Sequence, residues 1–293
     1  MPVTGARAKF WVLHPLTRRP GLVKIARRRG TPPIPEGELV SEYLASLVGQ
    51  ALSIQVAVVI PVKKTVSGDV ELCPLSWKFT GPEEELKEGA AITDTVERYR
   101  PPGPGARPHT ERKREQLSVS RIESALLNEL QDLSIARRFI SQILIFDVLV
   151  ANTDRHQGNW GIVVDPGNGW VRPAPLYDNG ASFGSTSTPT GLMKILDEKR
   201  LDLFNDRYVH EFSVQDASPR NSRIPEIMGF LRGPAYESYF RVFQEWVKNL
   251  DVDAVCHQVH EEVKGVADHR QRLIFAGELL KSRRTIILQE ALA

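Results

Sequence analysis

The chain has little cysteine, no long apolar run and almost no net charge. Its two cysteines, Cys73 and Cys256, are too far apart for any spacing that binds a structural metal. Two scattered thiols are typical of a reducing compartment, so we expect a cytoplasmic location. No apolar stretch approaches the roughly 18 residues of a membrane helix, and the N-terminus lacks the apolar core of a signal peptide.

The net charge is +2 over 293 residues, which gives no strong electrostatic field. We therefore expect neither a nucleic acid nor a membrane surface as a partner. The basic runs 27–29 and 112–114 are interpreted mainly as solvated surface. The apolar share of 41% and the charged share of 25% are ordinary for a globular protein, and the length fits one large domain or two lobes.

What the chain does contain is a set of polar residues with the spacing of a kinase active site. Residues 152–159 are Asn-Thr-Asp-Arg-His-Gln-Gly-Asn, and residues 175–180 are Pro-Leu-Tyr-Asp-Asn-Gly. Transfer of phosphate from Mg-ATP needs an acid that orients and deprotonates the acceptor hydroxyl, and oxygen ligands for the metal. Asp154 and Asn159 have the separation found in the catalytic loop of protein kinases. We predict Asp154 as the catalytic base, with Asn159 and Asp178 as Mg²⁺ ligands.

These motifs resemble the active site of the HipA-like Ser/Thr kinases, and the first is also similar to the loop of phosphoinositide-type kinases. The Tyr-Asp-Asn-Gly sequence around Asp178 favours the HipA-like kinases. Weaker similarities occur upstream: Thr4–Lys9 resembles the HipA phosphate loop, Leu22–Lys24 its ATP-lysine strand, and Ser41–Tyr43 part of its following helix. The resemblance implies ATP and Mg²⁺ between two lobes, and transfer to a Ser or Thr hydroxyl of a protein substrate.

Lys24 lies in an apolar strand, where a lysine needs a partner or changes its pKa. An ATP phosphate would supply that partner, with Glu42 on the following helix as the acid that orients the ammonium. Glu38, one helical turn earlier, is the competing acid.

Other residues complete the predicted nucleotide site. The backbone N–H groups of Gly5 and Ala6 could hold phosphate oxygens, and the resemblance places Lys9 in the same loop. The aromatic rings of Phe79 and Tyr177 could enclose the adenine between them, although ordinary core packing explains each ring equally well.

Three charged or polar residues near the motifs receive other interpretations. Asp147 is out of phase with the apolar stripe of its helix and is interpreted as structural. His156 is expected to support its own loop, because Mg²⁺ prefers oxygen ligands. Arg155 either pairs with an acid or neutralises phosphate, and the sequence leaves both alternatives open.

Apolar spacing predicts an α+β, two-lobed fold with a small antiparallel sheet and a larger, mainly helical lobe. Residues 1–80 would form the nucleotide lobe, 81–114 an exposed linker rich in Pro and Gly, and 115–293 the catalytic lobe. The predicted strands are 8–13, 21–25, 53–62, 71–80, 160–164 and 170–174. The predicted helices are 38–50, 120–133 and 135–151, followed by mainly helical residues 205–292.

Hydroxyl-rich residues 184–191 follow Asp178, where many kinases place an activation segment. We expect this segment to be mobile and open to autophosphorylation through self-association, with Thr4 as the competing site. Two further functions stay open: a phosphoinositide-type lipid kinase, and a non-catalytic module that binds ATP.

Overall fold

The computed structural model describes residues 9–14, 16–25, 37–66, 69–93, 117–216 and 219–289, with the backbone alone at 28–29, 34–35, 66 and 69. Its strands are β1 (Lys9–Leu13), β2 (Pro20–Lys24), β3 (Arg28–Arg29), β4 (Ile34–Pro35), β5 (Val59–Val66), β6 (Asp69–Trp77), β7 (Glu85–Glu88), β8 (Gly161–Asp165) and β9 (Trp170–Pro173). Its helices are α1 (Glu38–Ala51), α2 (Gly89–Ile92), α3 (Val119–Leu130), α4 (Leu133–Val150), α5 (Pro189–Asp197), α6 (Leu201–Asp206), α7 (Ile224–Leu231), α8 (Glu237–Lys248), α9 (Val252–Val263) and α10 (His269–Gln289).

The small lobe is an antiparallel sheet in the order β1-β2-β6-β5, with α1 packed against β5 and β6. Directly opposite residues in antiparallel strands share a face. Lys24 lies opposite Lys9, and Leu22 lies opposite Trp11, so these four side chains lie on one face. The other face carries a small apolar cluster around Val23. The predicted helix 38–50 and the first two predicted strands are confirmed within a residue or two.

The predicted strand 53–62 begins later than expected, at Val59. The residues just before Val59 form hydrogen bonds outside this sheet. Val56, for example, forms a parallel bridge with Leu176. The amide of Ala57 donates to the carbonyl of Leu176 at 2.9 Å, and the hydroxyl of Ser46 in α1 donates to the carbonyl of Ala57 at 3.0 Å. This correction matters for the site, since it joins the small lobe to the chain that leads to Asp178.

Helix α4 is the centre of the large lobe. It starts at Asp132, whose carboxylate accepts the amide hydrogen of Ser134 at 2.7 Å, as an N-cap does. Most of its apolar residues are fully buried and contact α3, α7, α8 and α10. It ends at Ala151, which adopts a left-handed conformation with φ of 54°. The turn at Ala151 directs the chain into the first predicted motif.

Residues 81–93 do not form the exposed linker that the sequence predicts. Strand β7 pairs with β8, and β8 pairs with β9, so the large lobe has its own antiparallel sheet. Helix α2 follows directly, and the amide of Ala90 donates to the carbonyl of Gln157 at 3.1 Å. Glu84, just before β7, forms an ion pair with Arg172 of β9 at 3.0 Å. The remainder of the predicted linker, 94–114, lies outside the described residues.

No helix in the described part of the chain is long and apolar enough to cross a membrane.

Candidate active site

A buried lysine joins the two lobes. The ammonium of Lys24 in β2 donates to Glu42 Oε1 in α1, and also to Asp178 Oδ1 at 2.8 Å. Burial alone would lower the pKa of Lys24, but attraction by Glu42, and then by Asp178, outweighs burial and raises the pKa above its ordinary value. The structure therefore brings together three residues that the sequence singled out in three separate segments.

Glu42 rather than Glu38 pairs with Lys24. Both acids lie buried on the same side of α1, and the packing at Gly180 accommodates them. A Cβ atom at Gly180 would lie 3.0 Å from the Oε1 atoms of both Glu38 and Glu42. Gly180, the last residue of the second motif, thus leaves room for the side chains of Glu38 and Glu42 in α1.

Asp178 itself has an unusual backbone conformation. Its φ is 57°, in the left-handed region that few residues other than glycine, Asn and Asp adopt. Its side chain keeps 36% exposure although that of Lys24 is nearly buried. Left-handed residues held by their surroundings occur often at functional sites, and this one presents a partly exposed carboxylate beside Lys24.

The loop that begins after α4 arranges Asp154 and Asn159. The amide of Asp154 donates to Asn152 Oδ1 at 3.1 Å, which fixes the start of the loop. The side-chain amide of Asn159 donates to the carbonyl of Asp154 at 2.7 Å. His156 accepts the amide hydrogen of Gly158 on Nδ1 at 3.0 Å, which agrees with its predicted role of supporting the loop.

Arg155 is the buried connection between the two motifs. Its guanidinium donates to both carboxylate oxygens of Asp147, at 2.9 and 2.7 Å. It also donates to the carbonyl oxygens of Asn159 and Tyr177, at 2.8 and 2.7 Å, and to Asn179 Oδ1 at 2.6 Å. Of the two alternatives for Arg155, the structure shows pairing with an acid, and Asp147 has the structural role that was predicted.

Sequence reasoning missed His210, which completes this network. Its Nε2 donates to Asp147 Oδ2, with 3.0 Å between the two atoms, while Nδ1 accepts the amide hydrogen of Phe212 at 2.9 Å. Burial raises the pKa of Asp147, but the charge and hydrogen bonds of Arg155, and the hydrogen bond of His210, lower it below the ordinary value. No local pattern around His210 signals this contact, because its partner lies 63 positions earlier.

The donor set fits Mg²⁺. Mg²⁺ sites in kinases use one or two carboxylates together with phosphate oxygens and water. Because the Nδ2 of Asn159 is engaged by the Asp154 carbonyl, the amide is oriented with Oδ1 as its remaining metal-binding atom. Asp178, between two residues that Arg155 contacts, adds a carboxylate. No group of three or more His, Cys, Asp or Glu residues suited to a metal occurs in the described ranges.

The predicted adenine sandwich between Phe79 and Tyr177 is wrong in its geometry. The two rings stack on each other, with centroids 5.6 Å apart and planes 26° apart, so no base fits between them. The hydroxyl of Tyr177 donates to the carbonyl of Trp160 at 3.1 Å, which fixes that ring. Either ring keeps an outer face, and contact of the stacked pair with the base stays a prediction.

Of the predicted phosphate loop, Thr4–Lys9, the structure describes Lys9. Lys9 lies in β1 opposite Lys24, which places its side chain on the same face of the sheet. Gly5 and Ala6, and the competing phosphorylation site Thr4, lie outside the described residues.

The segment after Asp178 is tied down rather than free. Ser41 in α1 donates to the carbonyl of Ser182 at 2.9 Å, and the amide of Gly37 donates to the carbonyl of Ser185 at 3.0 Å. Arg272 donates to the carbonyls of Ser185 and Ser187, both at 3.3 Å. The expectation of a mobile segment is therefore corrected at its start, and Ser185 is buried. The exposed hydroxyls are those of Thr186, Thr188 and Thr190.

Solved structures share this architecture. The chain is similar to the proinflammatory kinase CtkA of Helicobacter pylori, with a TM-score of 0.76 and 16% identity over 99% of this chain and 93% of that one. The chain has the fold of a HipA-like kinase. HipA of the Shewanella oneidensis MR-1 toxin–antitoxin system, solved with HipB and operator DNA, matches with a TM-score of 0.58 and 15% identity.

That second match covers 98% of this chain but only 65% of the HipA chain. No protein-family model and no curated protein sequence matches the chain. At these identities the likeness concerns the fold, and it confirms both the predicted two-lobed α+β architecture and the resemblance to HipA-like kinases at that level.

Proposed function

We propose that this chain is an ATP- and Mg²⁺-dependent kinase that transfers the γ-phosphate to a Ser or Thr hydroxyl of a protein. The observation that carries the proposal is the Lys24 ammonium, which pairs with Glu42 and Asp178 at once. Kinases use a lysine paired with a helix acid to hold the ATP phosphates, beside an Asp that binds the metal. Both features lie here at the junction of the lobes.

Each residue has a distinct part in the proposed reaction. Lys24, held by Glu42, binds nucleotide phosphates, and Asn159 and Asp178 hold Mg²⁺, which supplies charge neutralisation on those phosphates. Asp154 accepts the proton of the acceptor hydroxyl as that oxygen attacks. The fixed loop supplies orientation, because small displacements of a reacting group lower the rate strongly.

The test is a kinase assay on the purified full chain with γ-labelled ATP and a cell lysate, followed by mass spectrometry of the labelled sites. Asp154→Asn should lower turnover by roughly 10²–10⁴-fold, because the general base is lost, and should retain Mg-ATP binding. Asp206→Asn is the matched control, since Asp206 is exposed at the end of α6 and distant in sequence from both motifs. Near-normal turnover by Asp154→Asn would contradict the role of Asp154.

The same assay separates the two other functions. Label on lipid vesicles in place of protein would indicate a lipid kinase. Mg-ATP binding without any turnover by the wild-type chain would indicate a non-catalytic module. The presence of Asp154, Asn159 and Asp178 together favours an active enzyme over that module.

A further inference from the structure

Helix α10 buries one arginine without a carboxylate beside it among the described residues. The side chain of Arg283 is fully buried, and its Nε donates to Asn205 Oδ1 at 2.7 Å. Neither of its Nη atoms has a hydrogen-bond partner in the described part of the chain. Arg283 therefore differs from Arg155, whose charge is matched by Asp147.

Such a placement is unfavourable for stability. Burial lowers the pKa of Arg283 to about 10, so the guanidinium still carries its charge at neutral pH. Even a buried ion pair can often be replaced by apolar side chains of similar size without loss of stability, and a buried charge without a charged partner is less favourable still. Stability alone therefore gives no reason for an arginine at this position.

The charge lies against a tyrosine that contacts the catalytic loop. The guanidinium carbon of Arg283 is 4.5 Å from the ring centroid of Tyr208. The hydroxyl of Tyr208 donates to the carbonyl of Asn152 at 3.0 Å. Burial raises the pKa of Tyr208 well above its ordinary value, so the hydroxyl keeps its proton and remains a donor. A cation is attracted to the face of an aromatic ring, and this attraction holds the ring in the donating position.

Asn152 connects Tyr208 to Asp154 through hydrogen bonds. Its Oδ1 accepts the amide hydrogen of Asp154 at 3.1 Å, and its Nδ2 donates to Asp147 Oδ1 at 3.2 Å. The backbone and the side chain of Asn152 are thus both fixed. A shift of the Asn152 carbonyl would therefore also displace Asp154, which lies two positions later in the same turn.

We propose that Arg283 is a positioning residue for Asp154, acting through Tyr208 and Asn152. It links the C-terminal helix to the catalytic loop and sets the orientation of the base. The inference rests on the proposed kinase activity, because Asp154 acts there as the base. Loss of Arg283 should lower kcat and spare nucleotide binding, since Lys24 and Asp178 are held by other contacts.

The experiment compares Arg283→Met, Tyr208→Phe and the double variant in the full chain. Arg270→Met is the matched control, because Arg270 is an exposed arginine of the same helix. For each protein the melting temperature, the Mg-ATP-induced thermal shift, and kcat and KM for ATP are measured. Amide hydrogen exchange of peptides covering 152–159 gives a readout that does not depend on activity.

For Arg283→Met we expect an unchanged or higher melting temperature, an unchanged KM for ATP and a normal Mg-ATP shift. Its kcat should fall by about 10- to 100-fold, and the loop should exchange about tenfold faster. Tyr208→Phe should change kcat and exchange in the same direction. The kcat of the double variant should be no lower than that of the less active single variant, because both substitutions act through one contact with Asn152.

Normal kcat and normal loop exchange in a folded Arg283→Met variant would overturn the proposal, whatever the result for Tyr208→Phe. So would a lower melting temperature with kcat and KM both impaired, since that pattern indicates a general structural role. If Arg283→Met does not fold, Tyr208→Phe decides, because it removes a hydroxyl alone. A wild-type chain without turnover would refute the kinase function, while the exchange measurement would still decide whether Arg283 fixes the loop.

Discussion

The candidate active site contains two charged clusters that differ in how completely their side chains are shielded from solvent. In the buried cluster, Arg155 and Asp147 neutralise each other, and neighbouring residues such as His210 and Asn179 make further hydrogen bonds to the pair. In the cleft cluster, two carboxylates, Glu42 and Asp178, share the single ammonium of Lys24.

This difference assigns different tasks to the two clusters. A fully buried network can fix the backbone, but it offers no exposed charged group to a ligand. In the cleft cluster the side chain of Asp178 is 36% exposed. A partly exposed carboxylate can bind a metal cation that is shared with a phosphate. The predictions below test this division between support and binding.

The largest effect should follow removal of the buried cation. Arg155→Leu leaves the Asp147 carboxylate buried without its charged partner and breaks contacts to both motifs. We expect a loss of about 3–5 kcal/mol in the free energy of unfolding, measured by urea denaturation. Arg138→Leu, which replaces an exposed arginine of α4, the helix that carries Asp147, should change it by no more than about 0.5 kcal/mol. Equal effects of the two substitutions would contradict the supporting role.

The cleft cluster should respond in the opposite way. Asp178→Asn should leave stability near that of the wild type, because Lys24 still pairs with Glu42. It should remove most of the stabilisation by Mg-ATP, which for a ligand at 100 times its Kd is about 2.7 kcal/mol. Thermal melting with and without Mg-ATP measures both quantities. An undiminished Mg-ATP shift in this variant would rule out Asp178 as a metal ligand.

Asp154, Asn159 and Asp178 could be singled out from the sequence because they lie in two short motifs, and their catalytic and metal-binding roles stay predictions. The spacing of Asp154 and Asn159 is local, and the hairpin β8-β9 returns the chain to Asp178 over a short connection. Contacts between residues far apart in the sequence are harder to predict. The sequence left two alternatives open for Arg155. Its contact with Asn179, and the contact of Asp147 with His210, join segments 24 and 63 positions apart, and no local pattern encodes them.

The missed strand β7 has a similar cause. Charged residues such as Glu85 and Glu88 suggested an exposed linker, yet an edge strand can carry charged side chains into solvent and still pair on its inner side. The late start of β5 follows from hydrogen bonds to Ser46 and Leu176, which no period in the sequence encodes.

A smaller effect is expected at Asn159. Asn159→Ala removes a neutral oxygen ligand and the hydrogen bond to the carbonyl of Asp154. Because the lost group is uncharged, the stabilisation by Mg-ATP should fall by about 1 kcal/mol, less than for Asp178→Asn. Asn249→Ala, an exposed residue at the end of α8, serves as the control in the same titration. A larger loss at Asn159 than at Asp178 would reverse the proposed order of the metal ligands.

The smallest effect expected is the change with pH, above pH 5, in the stability that the charged form of Asp147 contributes. The pKa of Asp147 is lowered in the folded protein, so the unfolded chain binds the proton more readily. The stabilisation by its charged form is therefore fully present above the unfolded pKa of about 3.9 and is lost as pH falls through the lower folded value. The difference in unfolding free energy between wild type and Asp147→Asn should then stay constant from about pH 5 to 8 and shrink below about pH 4.

Chemical denaturation across that pH range measures the difference directly. His210 faces the same carboxylate, and the hydrogen bond that it accepts from Phe212 places its proton on the nitrogen that donates to Asp147. Arg155, the other facing group, keeps its charge throughout, because pairing with Asp147 outweighs burial and raises its pKa. A difference that changes between pH 7 and 5 would contradict a buried cluster whose charges stay constant over that range. The buried cluster would then be a titrating site rather than a fixed support for the cleft.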